Sequence, residues 1–163
     1  MDFLPGIARW AHLVAGITWI GLLYYFNLVQ MPALKDAGAD GTAAGITKHV
    51  APRALFWFRW AAVATWVAGA WLLGKGFVDA FLLRDAYAAI GVGAWLGTIM
   101  LFNVWVLIWP NQQKILGMKP ASDAEKTIAR RVAMLASRTN MMLSIPMIFF
   151  MANGLSHRAI VGL

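Results

Sequence analysis

Two histidines and a group of guanidinium and amide side chains are the residues of this sequence best equipped for chemistry. His12 and His157 stand near opposite ends of the chain. An imidazole nitrogen is an axial ligand for iron, and two histidines at one end of a helical bundle could hold a heme from its two faces. The sequence has no cysteine, which excludes disulfides, thiolate metal sites, iron–sulfur clusters and thioether attachment of a heme. The cofactor expected at His12 and His157 is therefore a non-covalently held heme b, with Trp10, Trp19, Trp71 and Phe77 as candidates to pack around the ring. The second group is Arg59, Asn103, Asn111, Gln112, Arg138 and Asn140, with Asn27 and Gln30 nearby. Two guanidinium forks and several amides suit a planar, anionic, amide-rich ligand. Each group also has a plainer reading. His12 would be an interfacial helix residue and His157 a solvated tail residue. The arginines would snorkel to lipid headgroups while the amides join helices.

The elements that must position these residues are membrane helices. A hydrophobic content of 61%, a mean hydropathy of +0.65 and only 13% charged residues exclude an ordinary soluble domain. Apolar runs predict four spans, at 7–31, 54–73, 86–109 and 132–154, each near the roughly 20 residues that cross about 30 Å of hydrocarbon. The fold class is all-α, a single membrane domain over 1–163. The apolar run after the N-terminus is too long for a signal peptide, so the first helix is expected to be retained. All of Asp2, Asp36, Asp40, Asp79, Asp85, Asp123 and Glu125 fall outside the spans, which argues against a carboxylate proton relay. Neither a Ser/His/Asp arrangement nor H-E-x-x-H nor a phosphate-binding glycine loop is present.

The net charge of +7 sits in short segments between apolar runs, where it sets orientation; nucleic acid is not an expected partner. Lys35, Lys48 and Arg53 in the first loop, and Lys114, Lys119, Lys126, Arg130, Arg131 and Arg138 in the third, outweigh Arg9, Lys75, Arg84 and Arg158 on the other side. Both termini should face the periplasm from a bacterial inner membrane. His12 and His157 then share the outward side, and the arginine–amide group the cytoplasmic side. Gly74, Lys75 and Gly76 should break the second helix, and the short apolar segment 76–83 is expected as an interfacial connection able to lengthen the third. Ser122 and Glu125 have capping-box spacing, predicting an amphipathic cytoplasmic helix in loop three that runs into span four. Pro146 should kink that span. Gly93 and Gly97 form a weak G-x-x-x-G step.

Several stretches carry a resemblance: Arg9-Trp10-Ala11-His12 into Gly16-Ile17-Thr18-Trp19-Ile20-Gly21; Ala51-Pro52 through Trp57-Phe58-Arg59-Trp60 to Thr65-Trp66; Gly97-Thr98-Ile99-Met100 through Asn103 to Pro110-Asn111-Gln112-Gln113-Lys114; and Asn140, Ser144, Pro146 and Asn153. Together they resemble the membrane domain of the bacterial membrane-bound, cytochrome-linked urate oxidases. That resemblance implies a helical membrane domain whose full-length relatives oxidise urate to 5-hydroxyisourate and pass electrons to a fused c-type cytochrome. Relative to that family, this is a shortened four-helix form without further middle spans or the cytochrome. It has Thr139 where a histidine is expected. The start of the first helix is more loosely similar to small heme b-binding protoporphyrinogen oxidases and copper-resistance membrane proteins.

Three functions are consistent with these features. The first is a heme b-binding redox protein or subunit of a larger membrane oxidoreductase complex. The second is urate oxidation, the arginine–amide group holding the purine and a separate cytochrome c taking electrons. The third is a cofactor-free structural accessory subunit.

Overall fold

Proline decides where these helices change pitch. A proline ring lacks the N–H and collides with the carbonyl four residues earlier, which for Pro32, Pro52 and Pro110 is that of Leu28, Lys48 and Val106. In the computed structural model, which describes residues 3–153, each of those carbonyls lies in a π-helical turn: Phe26–Gln30, Ile46–Val50 and Asn103–Ile108. The residue just before each proline reaches back five positions. Met31 N–H donates to Phe26 O, Ala51 N–H to Ile46 O, and Trp109 N–H to Val104 O. The widened turn absorbs the proline without ending the helix.

The described residues are therefore almost entirely helical, with no strand among them. They comprise α1 (Phe3–Tyr25), α2 (Met31–Asp40), α3 (Ala43–Gly45), α4 (Ala51–Leu73), α5 (Phe77–Phe81), α6 (Ala88–Phe102), α7 (Trp109–Ile115) and α8 (Asp123–Asn153). Joined through their π turns, they make four helices long and apolar enough to cross a membrane: Leu4–Asp40, Ala43–Phe81, Asp85–Ile115 and Asp123–Asn153. These rods extend beyond the apolar spans. The first loop in particular is reduced to a turn at Gly41 and Thr42, where Gly41 takes a φ of 82° and Asp40 accepts hydrogen bonds from the Thr42 hydroxyl and backbone N–H. Those bonds hold the Asp40 carboxyl below its usual range.

The second rod breaks at glycine, as its sequence predicts: α4 stops at Leu73 and a 3-10 turn, Gly74–Gly76, leads into α5. The segment 76–83 does not lengthen the third helix. The chain turns between Phe81 and Asp85, with left-handed Leu83 and Asp85, and α5 folds back onto α6. A Cβ at Gly91 would stand 1.9 Å from the Ala80 carbonyl oxygen, so only glycine permits this backbone approach. Trp95 Nε1 donates to Phe81 O at 2.9 Å and pins the pair.

At the start of α8 the capping box forms. Ser122 N–H donates to Glu125 Oε2 at 2.8 Å, and Glu125 N–H to Ser122 Oγ at 3.3 Å. The helix then continues through Pro146 to Asn153.

Packing follows two hairpins. α1 lies along α4, and α8 lies along α6, α7 and the π turn between them. Trp19, Leu23 and Phe26 of the first rod meet Leu55, Phe58 and Ala62 of α4, with Phe26 and Phe58 edge to face at 5.3 Å. Met100, Val104, Ile108 and Met147 complete the core from the second hairpin. The outside is as apolar as the inside: Ile17, Met142 and Trp71 are 73%, 70% and 68% exposed. A surface of that kind is stable against lipid rather than water.

Candidate functional site

Polar side chains join the helices at several interfaces. Between α1 and α4 the contact is His12. Its ring lies on α4 at Gly69, where a Cβ would be 2.9 Å from His12 Cε1, and its Nδ1 is 2.8 Å from Thr65 O. A carbonyl only accepts, so Nδ1 carries the proton and Nε2 keeps its lone pair. Gly16, one turn further along α1, adds to the close approach, with its Cβ position 3.7 Å from the Thr65 methyl. Thr65 in turn donates its hydroxyl to Ala61 O at 2.7 Å. His157 lies outside the described residues. Of the four aromatics expected around a heme ring, Trp19 is buried in the core, Trp10 and Trp71 are exposed, and Phe77 packs on Trp66 and Phe81.

Between α6 and α8 the contact is an amide pair. Asn103 Nδ2 donates to Asn140 Oδ1 at 2.8 Å, and Asn140 Nδ2 donates to Met100 O at 2.9 Å. Asn140 is fully buried. The first rod meets α8 through Asn27 Nδ2, which donates to Ser137 Oγ at 2.9 Å, and through Tyr24, whose hydroxyl is 3.2 Å from Ser144 Oγ. α4 meets α6 through Trp66 Nε1 and Thr98 Oγ1 at 2.9 Å.

Arg59 lies where α4 faces the end of the third rod. Its guanidinium carbon is 3.7 Å from the centre of the Trp109 ring, with Phe56 and Trp105 at 5.5 and 6.0 Å. The arginine plane is thus held by cation–π contact. The ion pairs formed among the described residues are Arg84–Asp79 and Lys126–Asp123, so Arg59 has no carboxylate there.

The structure therefore brings Asn103 and Asn140 together and sets Arg59 against a different neighbour. Asn111 donates to Leu107 O of its own helix at 2.7 Å, Gln112 is half-buried, and Arg138 is exposed. Sequence reading did not single out Ser137, Gly69 or Tyr24, and named Thr65 and Ser144 only within the family resemblance, not as contacts. A signal existed for two of them, because Ser137, Asn140 and Ser144 recur at three and four residues and share one face of α8. Four buried polar atoms have no hydrogen-bond partner among the described residues: Trp19 Nε1, Asn27 Oδ1, Gln30 Oε1 and Trp105 Nε1. No group of three or more histidine or acidic residues able to hold a metal ion occurs among the described residues.

Fold and site together define a helical, multi-pass membrane protein whose buried polar groups join its helices in pairs. The model of the urate oxidase N-terminal family matches residues 75–159, more than half of the chain, and the chain belongs to that family. The matched stretch contains the turn, α5 and the whole second hairpin. His12 and Arg59 precede it. No curated protein and no solved structure matches the chain.

Proposed function

We propose that this urate-oxidase-family protein is a membrane redox subunit that holds a heme b at the end of the bundle where His12 lies. The observation that carries the reading is the setting of His12. The Thr65 carbonyl fixes the proton on Nδ1, the missing side chain of Gly69 admits the ring, and Nε2 is left with the lone pair that an iron ligand needs. Such a backbone partner for the distal nitrogen is what orients a ligating histidine. His157 would be the second residue to hold the heme in this reading. A bound heme would supply one-electron transfer; the residues of this chain hold it without a covalent bond and orient its ligand. The termini face the periplasm of a bacterial inner membrane, where a c-type cytochrome or a larger oxidoreductase complex exchanges the electron.

Support for this reading over a purine site comes from the amides. Asn103 and Asn140 are engaged with each other and with the Met100 carbonyl, and Asn111 with its own helix, so they serve helix packing.

A reduced-minus-oxidised spectrum of detergent-purified protein is the test. A b-type spectrum in the wild type, lost in His12→Ala, is expected. Absence of a Soret band, or a band unaltered in His12→Ala, would overturn the proposal.

A further inference from the structure

A shallow groove on α4 is lined by Pro52, Arg53, Phe56 and Trp57, and the helical repeat carries its face on to Arg59, three residues beyond Phe56. We propose that this face binds the phosphate of an anionic phospholipid, with Arg59 and Arg53 as the cationic partners. Helical side chains lean toward the N-terminus of their helix, and Arg59 leans accordingly over Phe56 one turn earlier. Arg53 does the same, donating from one guanidinium nitrogen to His49 O. Both guanidinium groups are thereby drawn toward the same end of α4.

Trp109 covers one face of the Arg59 guanidinium. Stacking leaves the N–H groups at its edge directed outward, and those donors match a phosphate in a fork geometry. No carboxylate among the described residues neutralises them. The lipid-facing side of the groove is aromatic, with Trp57 62% and Phe56 46% exposed. Such side chains sit at the headgroup level of a bilayer with their rings against acyl chains. Cation, stacking platform and interfacial aromatics together fit a ligand with an anionic head and an apolar tail.

Native mass spectrometry of the full chain in detergent tests this, with phosphatidylglycerol, phosphatidylcholine, inorganic phosphate and urate as probes. Phosphatidylglycerol should bind in preference to the other three, and Arg59→Gln should weaken it about fivefold, the effect of one basic residue at an anionic surface. Lys75→Gln, at the other end of α4, should not. Trp57→Ala changes an exposed side chain without touching the core, so it supplies the comparison if Arg59→Gln fails to fold; weakened phosphatidylglycerol binding is expected there too. Equal binding of phosphatidylcholine would overturn the proposal. So would equal binding of free phosphate or urate, or undiminished phosphatidylglycerol binding in Arg59→Gln and Trp57→Ala.

Discussion

The imidazole of His12 rests on the backbone of α4 at Gly69, one helical turn from the Thr65 carbonyl that its Nδ1 meets at 2.8 Å. Alanine at position 69 would put a methyl 2.9 Å from Cε1 and 3.1 Å from Nδ1, so the ring must leave the carbonyl. Losing one neutral hydrogen bond removes about 0.5–1.5 kcal/mol, while alanine in place of glycine inside a helix returns about 0.8–1 kcal/mol. The two nearly cancel. Gly69→Ala should therefore unfold within a few degrees of the wild type in detergent while the heme spectrum proposed to depend on His12 is lost or shifted. A large fall in the unfolding midpoint with an unchanged spectrum would contradict this.

The amide pair between α6 and α8 should be energetically coupled. Interhelical hydrogen bonds in membrane bundles average about 0.6 kcal/mol and reach about 1.7, and this one belongs toward the upper end because Asn140 is fully buried and bridges to the Met100 carbonyl as well. A double-mutant cycle with Asn103→Ala and Asn140→Ala, read by reversible unfolding in detergent, measures the term. Asn140→Ala should be the more damaging single change, since it strands the Asn103 amide. Strict additivity would show that the pair contributes nothing beyond packing.

Much of this fold was legible because hydrophobic length reports directly on bilayer spans. Glycine at 74 and 76 located the break in the second rod, and the Ser122–Glu125 spacing located the start of α8. The extent of the helices was not legible, because proline is read from sequence as a terminator, whereas Pro32, Pro52 and Pro110 are each absorbed by a π turn. Segment 76–83, expected as a connection able to lengthen the third helix, is a connection but packs on that helix instead of extending it. Its apolar composition is equally good for extending a helix or covering one, and the turn at Leu83 and Asp85 with the absent side chain of Gly91 selects the second. At the site, residue type singled out Asn103 and Asn140, which are buried, but also Arg138, which is exposed, and it gave no partners. The partnership of Asn103 with Asn140, and of His12 with Thr65 and Gly69, depends on the relative rotation of rods far apart in sequence.

The start of α8 should be sensitive to acid. The Ser122 backbone N–H, then its hydroxyl, hold the Glu125 carboxyl below its ordinary pKa of 4.5. A depressed carboxylate stabilises the folded helix end above the ordinary value, and that contribution is lost as pH falls through the depressed one. Amide exchange at Glu125 and Lys126, relative to residues deeper in α8, should rise below pH 4.5 in the wild type. Glu125→Gln should show no such step. A step of equal size in both would assign it to another group.

Pro110 should set the rotation of the third rod. Between Asn103, which faces α8, and Trp109, which faces Arg59 of α4, the chain must turn so that both contacts are made; the π turn Asn103–Ile108 spans this interval. An α-helix turns about 100° per residue, so removing the extra residue of the wide turn swings one of the two contacts away. Proline is tolerated in the first turn of a helix, and at α7 it sits in that position, so Pro110→Ala gains far less than the roughly 3 kcal/mol expected for a helix interior. Because each of the three π turns ends just before a proline, Pro110→Ala is expected to restore regular α-helix there. The Asn103–Asn140 pair, buried and doubly bonded, should persist, and Trp109 should move off Arg59. Collisional quenching of Trp109, in a background where the other tryptophans of that end, Trp57, Trp60 and Trp105, are phenylalanine, would rise in Pro110→Ala. Unchanged quenching, with slow amide exchange still centred on the wide turn, would mean that packing rather than proline imposes it.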